Sequence, residues 1–262
     1  MMQPIEIGLA LLLGHLIADF LLQSNALVRR KKSGEARGYL QHALLHYAAM
    51  AGVIVASAPS MLLRLRFQIV LSALTAIHLL IDWGKLRVTR SGAIRDGIGA
   101  FLADQALHVA TIAAAALLYA GLPVTSVFRG LGALSPYREK ILFVLVVYVA
   151  AVFAGGYVVR YITRSLLEKV PDTPDETHTE LQNAGLYIGW LERILILTAV
   201  ILRSPATIGL VLTAKSIVRY PELRSGRFAE YFLIGTLLSI ILAISGGLIL
   251  LNVLYGTFRF TW

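Results

Sequence analysis

The chain predicts an all-α, polytopic transmembrane helical bundle, and three observations carry that reading. Hydrophobic residues fill 57% of the 262 positions and charged residues only 15%, a balance outside that of soluble domains. The apolar residues gather in stretches of roughly 20, the length at which a helix crosses a hydrocarbon core of about 30 Å. The few polar residues inside those stretches repeat: His15-Leu16-Ile17-Ala18-Asp19-Phe20 returns as His78-Leu79-Leu80-Ile81-Asp82-Trp83.

About eight spans follow, at 5–23, 39–57, 67–86, 98–120, 141–161, 184–202, 206–219 and 228–255. The first has no basic segment ahead of it, and His15 and Asp19 interrupt its apolar run. It therefore reads as a span and not as a cleavable signal peptide. The second carries His42 and His46, the third His78 and Asp82, the fourth Asp104 and His108. Residues 125–140, with Gly130, Gly132, Pro136 and several charges, read as an outer connecting loop. That loop separates a His/Asp-rich bundle at 1–124 from C-terminal helices at 141–262. In the second half, a polar acidic loop, Pro171-Asp172-Thr173-Pro174-Asp175-Glu176-Thr177-His178, holds a solvated histidine. Glu192 and Arg193 then fall inside the sixth span, Lys215 and Arg219 inside the seventh, and Glu230 at the start of the eighth. The seventh span is short and reads as tilted, re-entrant or fused to its neighbour.

The net charge of +9 does not point to nucleic acid, because the basic residues alternate from loop to loop. Those following spans one, three, five and seven hold 15 of the 24 Lys and Arg. The positive-inside rule then places these loops in the cytoplasm and both termini outside it. Membrane lipid is the partner implied, and no oligomeric state follows from the sequence. With no cysteine in the chain, thiolate metal sites and disulfides are excluded.

The polar phrase extends beyond its two echoes. His42 and His46 follow His15 at 27 and 31 residues; Asp104 and His108 follow His78 at 26 and 30. Each i,i+4 pair lies on one helix face. The two hairpins run in the same direction, which makes a parallel internal repeat about an axis along the membrane normal. Measured from the predicted cytoplasmic ends, all eight residues lie in one layer roughly 5–15 Å deep. An Asp inside a membrane costs roughly 2.5–3.5 kcal/mol on insertion scales, so the three here need partners. A divalent cation is one such partner. His15, Asp19, His42, His46, His78, Asp82, Asp104 and His108 are the candidate ligands, for one closed site or for two sharing a bridging Asp. Imidazole with carboxylate suits zinc first, with manganese or iron also fitting. Gln23 and Gln105 stand beside the motifs, where they would orient ligands or hold a water. The competing reading is a proton relay or a polar packing cluster, His and Asp bonding across helices at about a kcal/mol each.

Gly14-His15-Leu16-Ile17-Ala18-Asp19-Phe20-Leu21-Leu22-Gln23, the His78 to Asp82 phrase and Asp104-Gln105-x-x-His108 resemble the bacterial domain-of-unknown-function 3307 family. Its members are inner-membrane proteins, so the resemblance implies that location without an activity. Gly189-Trp190-Leu191-Glu192-Arg193, Ala214-Lys215-Ser216 and Ala229-Glu230-Tyr231-Phe232-Leu233-Ile234-Gly235-Thr236 are similar to its longer members. A looser likeness is to bacterial membrane-bound metal-dependent hydrolases, which carry a similar Ser-His-x-x-x-Asp helix. Their His-Arg-Gly-x-Thr-His-Ser signature is missing here, and His42-x-x-x-His46 stands in for it only in part.

Three functions are compatible with these residues. In a metal-dependent hydrolase of a lipid-borne or anionic substrate, the metal would activate a water. Asp19 or Asp104 would serve as general base, and Arg193, Lys215 and Arg219 would bind the anionic part. In a divalent-metal or proton transporter the same pairs would form a transit site, as the His-x-x-x-Asp helices resembling those of zinc cation-diffusion facilitators suggest. In a non-enzymatic assembly component, the Arg, Lys and Glu of the second half would be a network of neutralising pairs. A membrane desaturase-type diiron centre is disfavoured, since it needs more histidines than these five.

Overall fold

The computed structural model describes residues 3–121, 137–167, 184–220 and 226–256, and all regular structure among them is helical. The parts of the expected loops at 125–136 and 171–178, His178 included, lie outside the described residues. The chain divides into two compact units, Met1–Val146 and Val147–Trp262.

In the first unit, helix α1 (Pro4–Ile17) opens with Pro4 in the turn where a missing N–H is harmless. There the Gln3 backbone N–H donates to the Glu6 carboxylate at 2.9 Å. It continues without a break into a π-helical turn, Ala18–Leu22. Helix α2 (Asn25–Ser33) is capped by Ser24, whose Oγ accepts the Leu27 N–H at 3.3 Å. It stops at Gly34, whose φ of +84° a residue with a Cβ rarely adopts. The sequence reading has a basic loop here; the structure shows a helix, because Ser24 and Gly34 supply both caps. Helices α3 (Ala36–Ser57), α4 (Leu65–Arg90) and α5 (Ile98–Ala120) complete the unit, together with the start of α6 (Tyr137–Val149). That helix begins inside the stretch expected as connecting loop.

Helix α1 packs on α3 and α5, and α4 packs on the same two, so the four long helices close into a ring. Close approach is allowed by Gly14: a Cβ there would stand 2.5 Å from the Met50 Cα. Gly38 does the same for α2 against α3, where a Cβ would meet Arg30 Cβ at 2.9 Å. The inward face of α3 reads Gly38, His42, His46, Met50, Ile54, and that of α5 reads Phe101, Asp104, His108, Ile112, Ala116. Both follow helical periodicity. The outward faces are apolar, with Leu40, Leu44, Ile69, Ile77, Leu80, Leu102, Leu107 and Leu118 exposed. Polar inside and apolar outside reverses the order of a water-soluble domain, and an apolar surface this wide is matched by lipid.

In the second unit α6 runs through another π-helical turn, Ala150–Ala154, into α7 (Gly155–Leu167). Helices α8 (Ala184–Ile201), α9 (Pro205–Val218) and α10 (Gly226–Tyr255) follow. Helix α10 packs on α8 and α7, and α9 on α8. Gly247 brings α10 onto α8: a Cβ would lie 2.6 Å from Val200 Cβ.

Six helices are long and apolar enough to cross a membrane: Pro4–Leu22, Ala36–Ser57, Leu65–Arg90, Ile98–Ala120, Tyr137–Arg164 and Ala229–Tyr255. Helix α9 has 14 residues, about 21 Å of rise, short of the hydrocarbon thickness. Helix α8, at 18 residues, carries Glu192 and Arg193. Six such helices among the described residues, where about eight spans were expected, are compatible with a multi-pass membrane protein.

Candidate metal centre

The interior of the ring holds all eight His and Asp side chains. His42 and His46 are fully buried, and His15, Asp19, His78, Asp104 and His108 each expose less than a tenth of their surface. His42, in the first half of α3, is as deeply enclosed as any.

Three groups of ligand atoms form, each spanning no more than 4.8 Å: His15, Asp19, His46 and His78; His42, His78 and Asp82; Asp82, Asp104 and His108. His78 links the first to the second and Asp82 links the second to the third. In the first, His46 Nε2 lies 3.0 Å from Asp19 Oδ1, while His15 Nε2 lies 3.7 Å from Asp19 Oδ2. In the second, His42 Nε2 is 3.1 Å from Asp82 Oδ2. In the third, His108 Nε2 is 3.5 Å from both Asp82 Oδ1 and Asp104 Oδ1. Asp82 thus directs one carboxylate oxygen into each of two groups. The π-helical turn contains Asp19, and such turns commonly mark functional positions.

The donor and acceptor inventory fits a cation. His42 Nε2 faces His78 Nε2 at 3.0 Å, and His78 Nδ1 faces His108 Nδ1 at 3.1 Å. A neutral imidazole has one N–H and one lone pair, so His78 can donate in only one of these contacts. His46 Nδ1, Asp104 Oδ1 and His108 Nε2 are buried with no hydrogen-bond partner. A tetrahedral cation with bonds of about 2.0–2.1 Å sets its ligand atoms roughly 3.3 Å apart. The separations of 3.1–3.5 Å between His108 and its two carboxylates, and between His42 and Asp82, surround that value.

Around this set stands a ring of orienting groups. Gln23 Nε2 lies 3.4 Å from His42 Nδ1, Gln105 Oε1 lies 3.5 Å from His15 Nε2, and Gln105 Nε2 donates to Asp104 Oδ2 at 3.2 Å. Two lysines that sequence reasoning left in the basic loops also enter. Lys31 Nζ lies 2.6 Å from Asp82 Oδ2, and Lys85 Nζ lies 3.0 Å from Asp104 Oδ2. Spacing alone would have found them: Lys85 shares a face of α4 with His78 and Asp82, and Lys31 follows buried Leu27 by four residues on α2. Two ammoniums against three carboxylates leave the cluster one negative charge in excess when the imidazoles are neutral. Lys85 and Gln105 hold Oδ2 of Asp104, which leaves Oδ1 facing His108.

The second unit has a different polar interior. Lys215 Nζ is 2.6 Å from Glu192 Oε2. Arg193 is 3% exposed; its Nε donates to the Val152 carbonyl at 2.8 Å and its Nη1 to Ser239 Oγ at 3.0 Å. Arg219 ends α9, its N–H bonded to the Lys215 carbonyl at 3.2 Å.

Residues 7–129 match the family described as "Protein of unknown function (DUF3307)". This N-terminal stretch belongs to that family. The DUF3307 match covers α1 to α5 and every His and Asp of the cluster. No curated protein and no solved structure matches the chain, so no relative's activity bears on the site.

Proposed function

We propose that this is a multi-pass protein of the bacterial inner membrane whose N-terminal bundle binds divalent cations, zinc first, and hydrolyses a lipid-borne or anionic substrate. The observation that carries the metal reading is the set of three groups of closely spaced His and Asp ligand atoms, in which the His108 and His46 imidazoles each bury a ring nitrogen without a hydrogen-bond partner. A buried polar atom left unsatisfied costs about 1–3 kcal/mol, and one cation placed among them removes several such costs. Asp82, which addresses two groups, suits a carboxylate bridge between two ions. The equivalence of α1–α3 with α4–α5 as repeated hairpins, and termini outside the cytoplasm, belong to the same reading.

A cation held here would lower the pKa of a bound water and polarise a carbonyl or phosphoryl oxygen. An Asp oxygen left off the cation would serve as general base: of the two candidates, Asp104 offers Oδ1, which accepts no hydrogen bond, while Asp19 Oδ1 is engaged by His46. Lys85 and Gln105 hold Asp104 Oδ2 and so aim its carboxylate. Within the second unit, anion binding is assigned to the basic side chains Arg193, Lys215 and Arg219.

The test is elemental analysis of protein purified without chelator, followed by reconstitution into liposomes. Stoichiometric metal, no metal flux, and cleavage of a phospholipid or ester substrate that Asp104→Ala abolishes would support the proposal. Flux abolished by Asp19→Ala or Asp82→Ala would make the cluster a transit site. Absence of metal, flux and cleavage would leave a structural polar core.

A further inference from the structure

The side chain least accounted for is Arg193, the buried guanidinium of the second unit. A charge withdrawn from water and from lipid needs a counter-charge or a full set of hydrogen bonds. Arg193 has two bonds, to a carbonyl and a hydroxyl, against five N–H donors. Its Nη2 makes no hydrogen bond to a described residue. The neighbouring carboxylate, Glu192, is already joined to Lys215 at 2.6 Å, so these three side chains together keep one positive charge.

A second donor is also without a partner. Trp190 Nε1, one turn earlier on α8, is buried with no acceptor. The indole is fixed in orientation by Phe153 and Tyr187, with ring centroids 4.8 and 5.2 Å away. Arg193 Nη2 and Trp190 Nε1 meet over Gly156: the point a Cβ would occupy there is 2.7 Å from one and 3.8 Å from the other. The guanidinium packs against Gly189 as well, a Cβ there falling 3.4 Å from Nη1. A guanidinium edge and an indole N–H, neither with an acceptor, therefore lie together beside Gly156.

We propose that the second unit binds a phosphodiester anion at Arg193 and Trp190. This extends the assignment of Arg193 to an anion but needs no metal in the first unit. Guanidinium forks match phosphate oxygens, and the one positive charge left over matches the one negative charge of a diester. A carboxylate taken into a desolvated site lowers its cost by protonating, whereas a phosphodiester keeps its charge and so remains a counter-ion. The same group arrives in a lipid headgroup, and free phosphate offers the same oxygens.

The experiment uses the full chain in a maltoside detergent, which contains no phosphate. Phosphatidylglycerol, diacylglycerol and inorganic phosphate are added separately, and retention is read by native mass spectrometry and calorimetry. The expected result is one phosphatidylglycerol per chain, no diacylglycerol, and affinity at least tenfold weaker in Arg193→Gln. Trp190→Phe keeps the ring and removes the donor; it should weaken binding about three- to tenfold with an unchanged thermal midpoint, which covers the case in which Arg193→Gln fails to fold. Saturable binding of phosphate in place of lipid, with the same dependence on the two residues, assigns the site to a free anion. Retention of neither, equal retention of diacylglycerol, or wild-type affinity in Trp190→Phe overturns the proposal. Metal content measured on the same samples keeps the outcome separate from the hydrolase reading.

Discussion

The two units solve the same problem, polar side chains enclosed by apolar helices, with opposite surpluses. The first gathers five imidazoles and three carboxylates, with Asp104 Oδ1, His108 Nε2 and His46 Nδ1 buried without a hydrogen-bond partner. The second has too many N–H groups, Trp190 Nε1 and the uncommitted edge of Arg193. Burying either kind of surplus costs free energy in proportion to what is left unpaired. The difference is what the two proposals rest on: the one inventory could hold a cation, and the other is proposed to take an anion.

The comparison breaks most sharply if the first unit keeps its metal without its central imidazoles. Replacing both His15 and His78 by Ala should lower metal affinity by more than about 100-fold, since each removes a candidate ligand outright. Inductively coupled plasma analysis of the double variant reads this directly, and undiminished metal would make the cluster polar packing. The sign of the pH response follows from the same chemistry. Protons compete for imidazole and carboxylate lone pairs, so metal affinity should rise with pH and each ion bound should release protons.

A smaller effect sharpens the role of the orienting shell. Lys85→Met leaves every candidate ligand in place but frees Asp104 Oδ2, and metal affinity should fall roughly 10-fold to 100-fold. Calorimetric titration of zinc into both proteins measures it. In the second unit, Lys215→Met strands the Glu192 carboxylate. Its side chain is 12% exposed, so a loss of about 1–3 kcal/mol is expected in detergent unfolding, less than for a wholly buried pair. Glu192→Leu together with Lys215→Met should recover most of that loss.

Smallest of all is the packing test. Gly14→Ala sets a methyl 2.5 Å from the Met50 backbone, which the α1–α3 contact can relieve only by opening. A destabilisation of about 1–3 kcal/mol is expected, with a fall in metal affinity as His15 and His46 part. A stable variant with unaltered metal binding would show that the separation of these helices does not set the site.

Most of the first unit was legible because its signals are periodic. The doubled His-x-x-x-Asp phrase and the i,i+4 pairs at His42 and Asp104 name a helix face each, and four faces of equal depth have one way to meet. Lys31 and Lys85 were not legible as partners of the cluster because basic residues at a span's end already satisfy the positive-inside pattern. Helix α2 escaped because its charges concealed the caps at Ser24 and Gly34. In the second unit no repeat exists to align Arg193 and Trp190 of α8 with Val152 in the π-helical turn and Ser239 of α10. Their meeting is a consequence of packing around Gly156 and Gly189 and has no counterpart in local sequence. The π-helical turns were unreadable for a related reason: one extra residue in a turn leaves no compositional mark.

The first of those turns carries an inheritance of its own. Ala18–Leu22 contains one residue more than an α-helix of the same rise requires. Deleting that residue would spare the length of the span and restore ordinary helical bonding, so nothing in membrane insertion selects for keeping it. Yet the deletion would swing everything beyond it by about 100° around the helix axis. Gln23 would leave His42, and the short helix bearing Lys31 would set out on a different heading from Asp82. A single surplus codon in the first span thus acts as the compass bearing for a lysine more than a turn and a half of helix downstream.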